Sequence, residues 1–357
     1  MTNSYLLIIN PGGLTTKLAL YNKTSEIITV NYNHSKDIDP SKYSALDQLD
    51  YRYNVINQFL EQYLPENVSL SAIVSRGGPI KRFESGVYKI NQLMVDDILE
   101  GRVLADHPSN LGAVLALRIA DKLNISAFIV DPISVDEFIP EARISGIPQI
   151  ERKSLFHALN IRMVAHKYCV DSNKDFDLTN LIVCHLGSGI SVCAIQNGRV
   201  IDVNNANEEG PFSPQRAGTL PLASFTKYLF KNNLTLEQTL IAIHKKAGLE
   251  AYLGTSDVLR IKQRIADGDK TADLIMRAMA YQIIKEIGGM SAVLKGDVSA
   301  IILTGAMANY DYLIELISER VRFISSVEVY PGENEMLALA TGCIRVLEDK
   351  EKYREYR

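Results

Sequence analysis

Residues 6–21 read Leu-Leu-Ile-Ile-Asn-Pro-Gly-Gly-Leu-Thr-Thr-Lys-Leu-Ala-Leu-Tyr: an apolar run, a Pro-Gly-Gly break and an alternating segment. That order predicts a strand, a glycine turn and a returning strand, with a further strand-like run at 26–30. The same pattern recurs at 181–203, where LIVCH is followed by Leu186-Gly187-Ser188-Gly189, then ISVCAI, then Asn197-Gly198 and RVIDV. Asn10 falls opposite His185, and Gly12 opposite Gly187, at one constant offset. A repeated unit of this kind predicts an internally duplicated α/β chain with one hairpin per half. Two unrelated hairpins are the alternative, and a third segment weighs against them. Residues 299–304 (SAIILT) form a buried-type strand that runs into Gly305 and then into a helix-period stretch from 310 to 323. A ligand sits at a helix N-terminus in that geometry.

Outward from these landmarks the periodicity is mostly helical. Residues 45–64 place Leu46, Leu49, Tyr53, Ile56, Leu60 and Leu64 on one face, and 110–123 begins at Asn110, a residue suited to an N-cap. Segments 153–168 and 255–266 follow, then 271–295, where Gly288-Gly289 is expected to interrupt the helix. A chain of 357 residues exceeds one ordinary core, so two domains of roughly 150 residues are expected. The division expected here is 1–150 with a returning C-terminal helix at 336–357, and a nucleotide-binding domain at 151–335.

Hydrophobic residues make up 46% and charged residues 22%, the balance of a globular enzyme rather than a disordered or fibrous chain. The formal charge of -4, from 38 basic and 42 acidic residues, provides no electrostatic footprint for nucleic acid or an anionic membrane. Any anion must therefore be held locally. The four cysteines, Cys169, Cys184, Cys193 and Cys343, lack metal-site spacing, and three lie in apolar runs, which fits a reducing cytoplasm. The N-terminus has no basic leader, and no apolar stretch approaches the roughly 20 residues of a membrane span.

Gly12-Gly13 followed by Thr15, Thr16 and Lys17 offers backbone N–H groups, hydroxyls and a cation near a strand turn, a set suited to an anion. It is not a Walker A loop, because the glycine-lysine spacing is missing and a strand follows. His185-Leu186-Gly187-Ser188-Gly189 has small residues that let the backbone approach a polyphosphate. Taken alone, a Gly-Gly turn is more often only a turn, and a lone histidine more often structural. Arg76 and Arg216 each sit beside glycine or alanine in loop-like sequence, placed to present a guanidinium fork to a carboxylate or phosphoryl group.

Asn10-Pro11-Gly12-Gly13-Leu14-Thr15-Thr16-Lys17 resembles the amino-terminal phosphate signature of the acetate and butyrate kinase family, and Cys184–Gly189 resembles its second signature. Further similar stretches run in order: Arg76-Gly77-Gly78, His107-Pro108-Ser109-Asn110-Leu111-Gly112, Asp131-Pro132, Phe156-His157, Arg216-Ala217-Gly218-Thr219, Leu303-Thr304-Gly305 and Asn334-Glu335. The Arg-Gly-Gly and His-Pro-Ser-Asn-Leu-Gly spellings look more like the butyrate-specific branch. The resemblance implies a duplicated, two-domain actin-like ATPase (ribonuclease H-like) fold with a cleft between the domains. It also implies a homodimer or higher homo-oligomer that moves phosphate between ATP and a short-chain carboxylate to give an acyl phosphate. The family commonly has a hydroxyl residue where this chain has Gly13, and a polar one near Leu14.

The residue roles implied are as follows. Arg216 clamps the phosphoryl group in transit and His157 donates to it; Arg76 and His107 hold the substrate carboxylate. Asn10, Gly12, Thr15, Thr16, Lys17, His185, Gly187, Ser188 and Gly189 meet the nucleotide phosphates, while Gly305, Ala306, Asn309 and Asp257 line the adenosine site. Asp131, placed among the catalytic groups, and Glu335 hold magnesium, which bridges ATP or ADP phosphates. A carboxylate is already ionised at neutral pH, so positioning and charge neutralisation rather than a general base must carry the reaction. Closure of the two halves over the nucleotide is expected, because an acyl phosphate must be kept from water. Acetate or propionate kinases of the same family are the nearest alternative, and a non-catalytic actin-like or sugar-sensing protein is the alternative from another class.

Overall fold

The computed structural model describes residues 4–37 and 44–357. They divide into two compact units, Met1–Asp136 with Asn334–Arg357, and Glu137–Glu333. The first crossing falls at 136/137 rather than at the expected 150/151, because the segment from Glu137 onward bonds to the second sheet. Glu137 accepts from the Val200 N–H at 2.9 Å, and the Ile139 N–H donates to Ile201.

Unit 1 contains β1 (Ser4–Pro11), β2 (Thr15–Asn22), β3 (Ser25–Asn33), β4 (Ser69–Arg76), β5 (Val87–Lys89) and β6 (Ser126–Val130). Unit 2 contains β7 (Leu181–Leu186), β8 (Ile190–Gln196), β9 (Arg199–Val203), β10 (Ala300–Gly305) and β11 (Val327–Pro331). A two-residue β12 (Arg354–Glu355) adds to unit 1 beside β5, giving the order β12-β5-β6-β4-β1-β2-β3; the second sheet runs β11-β10-β7-β8-β9. Both sheets share one plan: an antiparallel three-strand meander whose first strand pairs in parallel with a later strand, β4 or β10, which pairs in parallel with another, β6 or β11. The repeated hairpins in the sequence are the first two strands of each meander. Central strands covered on both faces read as continuous apolar runs, which explains LLII and LIVC.

In unit 1, Leu7, Ile9 and Ile73 pack with Ile56 and Phe59 of the helix Leu49–Tyr63 and with Leu111 and Leu115 of the helix Leu111–Leu123. The helix Glu335–Leu347 packs close to β6, with no room for a Cβ at Gly342 because it would lie 2.5 Å from Val130. In unit 2, Ile182, Cys184 and Leu303 pack with Met276, Met279 and Ile283 of the helix Lys270–Val293, and the helix Ala158–Asp171 packs against β7 and β10.

Several helix boundaries differ from the sequence expectation. Leu46 is exposed and belongs to a 3-10 turn, Leu46–Gln48, before the helix proper. Asn110 caps nothing; its buried amide donates to the Ala105 carbonyl at 2.9 Å, and His107 accepts the Ser109 N–H instead. The segment expected at 153–168 becomes helical only at Ala158, after His157, and the one expected at 255–266 starts at Val258, capped by Asp257. The helix between Asp311 and Val321 replaces the expected 310–323. Lys270–Val293 is unbroken through Gly288-Gly289. Two glycines cost about 1 kcal/mol each in a helix, but burial of Ile283, Ile287 and Met290 around them holds the turn.

Candidate active site

The turn joining β7 to β8 is Gly187-Ser188-Gly189, at the C-terminal end of a fully buried strand. Behind it runs the segment that carries Arg216. The Ser213 hydroxyl donates to the Ser188 carbonyl at 2.6 Å, the Arg216 N–H donates to the Ser213 hydroxyl, and Arg216 Nη1 donates to the Ala206 carbonyl at 3.1 Å. A Cβ placed on Gly189 would lie 2.1 Å from Arg216 Nη1, so the guanidinium lies directly against this turn and only glycine leaves it room. Among the described residues Arg216 has no carboxylate partner, and burial alone lowers its pKa.

His185, at the end of β7, is 1% exposed. Its Nδ1 meets Asn160 Oδ1 at 2.8 Å and its Nε2 meets Glu333 Oε1 at 2.9 Å. The His157 ring stacks on it at 3.8 Å between centroids and 8° between planes, with His157 Nδ1 3.0 Å from the Ser191 hydroxyl. The two histidines thus form one block beside the glycine turn. Asn160 and Glu333, which orient it, carry no signal in the sequence: both are isolated polar residues near element ends.

A cavity of ≈ 490 Å³ opens next to this turn. Gly187, Ser188, Asp257, Ala306 and Asn309, all expected around a nucleotide, line it together with Gln215, Lys262 and Tyr310. Gly305 bends the chain into it at φ +90, and a Cβ there would meet the Leu186 carbonyl at 2.5 Å. Asp257 spends one carboxylate oxygen on the N–H groups of Leu259 and Arg260. A larger groove of ≈ 1060 Å³ runs along 346–357 in unit 1, but none of the expected site residues lines it.

The turn joining β1 to β2, Gly12-Gly13-Leu14, has the same length as its counterpart. Its hydrogen bonding differs from the expectation in two respects. The Gly12 N–H is spent inside the turn, donating to the Thr15 carbonyl at 2.8 Å. The Thr16 side chain points inward, fully buried, where its hydroxyl meets Arg52 Nη1 and His34 Nε2, each at 2.8 Å. Thr16 therefore offers no hydroxyl to a phosphate, because β-strand alternation sends it to the core face while Thr15 and Lys17 stay partly exposed. Arg52, not singled out in the sequence, is fully buried beneath the turn. A helical arginine beside Tyr53 reads as a solvated side chain, and nothing local marks it otherwise.

At the end of β4, Arg76 Nη1 donates to Glu335 Oε1 at 2.7 Å, and Asn10 Nδ2 donates to Glu335 Oε2 at 2.7 Å. Two expected site residues from distant parts of the chain thus share the carboxylate of a third, which is 30% exposed. His107 has its Nδ1 2.6 Å from the Ser109 hydroxyl; burial and then the Arg76 cation lower its pKa, with Asp106 opposing. Asp131 departs from the open ligand expected. It is 3% exposed at φ +38, and its Oδ1 accepts the Gly86 N–H at 2.8 Å, tying the strand end to the adjoining loop.

Two sheets of one plan, each ending in a three-residue phosphate-type turn, with an arginine and a nucleotide-sized cavity beside the second, define a phosphotransferase of the actin-like, sugar-kinase-like fold. Porphyromonas gingivalis acetate kinase has this fold, with a TM-score of 0.77 at 20% identity over 96% of this chain and 100% of that one. Residues 148–340 match the Acetokinase family. A protein of Caldanaerobacter subterraneus subsp. tengcongensis named "Probable butyrate kinase 2" is 46% identical over 98% of this chain and 99% of its own length. Butyrate kinase 1 of Clostridium acetobutylicum is 44% identical over 99% of each chain. The chain belongs to the acetokinase family.

Proposed function

We propose that the protein is a butyrate kinase, transferring the γ-phosphoryl of ATP directly and reversibly to butyrate or a branched short-chain acid, with ADP and the acyl phosphate as products. The observation that carries this reading is full-length identity of 46% and 44% to relatives named butyrate kinases. The side chains fit that chemistry. The acid arrives as a carboxylate, and no base is needed. Arg76, oriented by Glu335, supplies a guanidinium with further N–H groups for the carboxylate, and His107 adds a polar edge beside it. Arg216, anchored on the Ala206 carbonyl and without a carboxylate partner among the described residues, is the cation for the equatorial oxygens of the phosphoryl group, and His157 is a second donor. The cavity lined by Ala306, Asn309 and Asp257 takes the adenosine, and Lys17 and Thr15, part-exposed at the start of β2, are assigned to phosphate.

Magnesium is held in such enzymes by one or two carboxylates, the substrate phosphates and water rather than by a protein cage. The described residues fit that mode: no cluster of three or more His, Cys, Asp or Glu side chains could hold a metal alone, whereas Glu335 lies part-exposed against Asn10. When bound there, the ion would neutralise phosphate charge. Asp131, with one oxygen spent on Gly86, is assigned to holding the strand end beside Arg76. Four free, buried thiols support a cytoplasmic setting, and among the described residues no helix is long and apolar enough to cross a membrane. The family resemblance supports a homo-oligomer.

Acyl-hydroxamate formation from ATP and acids of two to six carbons tests the reading. Butyrate or isobutyrate is expected to give the highest kcat/KM. A methylene is worth about 1 to 3 kcal/mol in an apolar pocket, so neighbouring acids should also react. A higher kcat/KM for acetate would assign the protein to the acetate kinases instead.

A further inference from the structure

The Arg52 guanidinium is fully buried, and every acceptor it meets among the described residues is uncharged. Nη2 donates to the carbonyls of Gly12 and Gly13, each at 2.9 Å, and Nη1 donates to the Thr15 carbonyl and the Thr16 hydroxyl, each at 2.8 Å. Gln48 Oε1 accepts from Nε at 3.1 Å and from Nη2 at 2.8 Å. One side chain therefore gathers two carbonyls of the turn and the first carbonyl of β2 onto the underside of the turn. The exposed tip, Gly13 and Leu14, is left with N–H groups that no acceptor takes among the described residues.

An unpaired buried cation is costly to keep, and a structural arginine in a core is ordinarily matched with a carboxylate. A half-buried arginine of this chain, Arg152, is matched so: it meets Asp202 at 3.0 Å and Glu209 at 2.9 Å. A carboxylate under the first turn would cancel the charge that an anion above it could use. We propose that Arg52 is a positioning residue for phosphoryl transfer: it turns the carbonyls of the first turn inward and sets a buried positive charge beneath its tip, which leaves the tip N–H groups and that charge for a phosphate.

The inference rests on the kinase reading for its ligand and goes beyond it in assigning a residue in no expected site set. Burial pulls the Arg52 pKa down to about 10, which leaves it protonated at neutral pH. Its field reaches past the turn: after burial it is the next cause lowering the His34 pKa, and it adds a smaller share at His107 after burial and Arg76. A guanidinium rather than an ammonium is required, since only a planar fork serves several acceptors at fixed angles.

Two variants of the full-length protein separate the charge from the fork. Arg52→Lys keeps a cation and loses the fork; Gln48→Glu keeps the fork and supplies the missing counter-charge, giving up only the bond from Gln48 Nε2 to the Ser44 carbonyl at 3.2 Å. Arg52→Lys is expected to lower kcat at least about thirtyfold, and Gln48→Glu about tenfold, with the KM for butyrate within about threefold of wild type. Calorimetry with magnesium-ADP should show weaker binding to Gln48→Glu while its Tm stays close to that of wild type. Wild-type kcat and nucleotide affinity in both variants would overturn the proposal. So would a loss in Arg52→Lys that follows its Tm and vanishes on cooling, since that marks a purely structural role. If wild type makes no acyl phosphate from any acid, the kinase reading fails by itself, while the calorimetric comparison still decides the role of Arg52.

Discussion

The two glycine turns are the same piece of backbone built twice, yet each has its nearest positive charge in a different place. Both are three residues long, and both join the first two strands of a meander. At Gly187–Gly189 the cation lies alongside: Arg216 comes from a separate loop, stays partly exposed and presses on Gly189. At Gly12–Leu14 the cation lies underneath, as Arg52 from the following helix, and no side chain crowds Gly13. A cation alongside is able to touch a phosphoryl group in transit, whereas one underneath acts only through the turn it holds. Duplication thus preserved the hairpin and left the charges to be supplied by whichever segment packs against it.

The largest expected effect is at the exposed cation. Arg216→Ala should lower kcat at least about a hundredfold with little change in magnesium-ADP affinity, because the donor lost is the one proposed to serve the transition state. Near-normal turnover in a folded Arg216→Ala protein would erase the distinction between the two turns.

The glycines sharpen the contrast. Gly189→Ala places a methyl where Arg216 Nη1 lies, at 2.1 Å, so the guanidinium must move. A fall in kcat of about tenfold or more is expected, since misplacing a catalytic group by about an ångström costs that much. Gly13→Ala meets nothing within 4 Å and needs no left-handed backbone, so its kcat should stay within about twofold of wild type. Steady-state kinetics on the pair is a direct comparison of the two turns.

The smallest effect concerns the underside of the first turn and is read as stability. His34, 1% exposed, has its pKa lowered by burial first and by the Arg52 charge next, with Asp37 opposing. Unfolded His34 takes up a proton near pH 6.5, at a higher pH than folded His34 does. Its contribution is therefore complete above about pH 6.5 and is lost as pH falls through the lower folded value. Tm should drop between about pH 7 and pH 5, and His34→Gln should make that slope shallower. An identical slope in the variant would place the acid sensitivity elsewhere.

Local chemistry made a good part of this molecule legible. The apolar runs at 6–9 and 181–184, each broken by glycine, mark central strands, and their matched spacing marks the duplication. Gly187, Ser188, Asp257, Ala306 and Asn309 were expected around one ligand, and they line one cavity. Turn and strand signals depend on neighbours in the chain, so a reading of residues in order recovers them. Charge assignments depend on partners tens to hundreds of positions away, which no local pattern marks. Thr16 lost its expected phosphate role to the alternation of β2, which turns it toward Arg52. Asp131 follows the apolar run AFIV as a strand-end residue would, but that one of its oxygens accepts the Gly86 N–H has no local mark. Glu335 gained two partners, Asn10 and Arg76, only because β1, β4 and the last helix meet.

What the sequence alone determined is the pair of glycine-turn hairpins and the α/β class, since hydrophobic period, turn residues and small side chains act over a few residues. Only the tertiary structure decided which charges are neutralised and which are left for a ligand. An arginine on a helix has one spelling whether it is solvated, paired with a carboxylate or buried under a turn. The free energy that separates those states comes from burial and from the distance to groups that folding alone brings near.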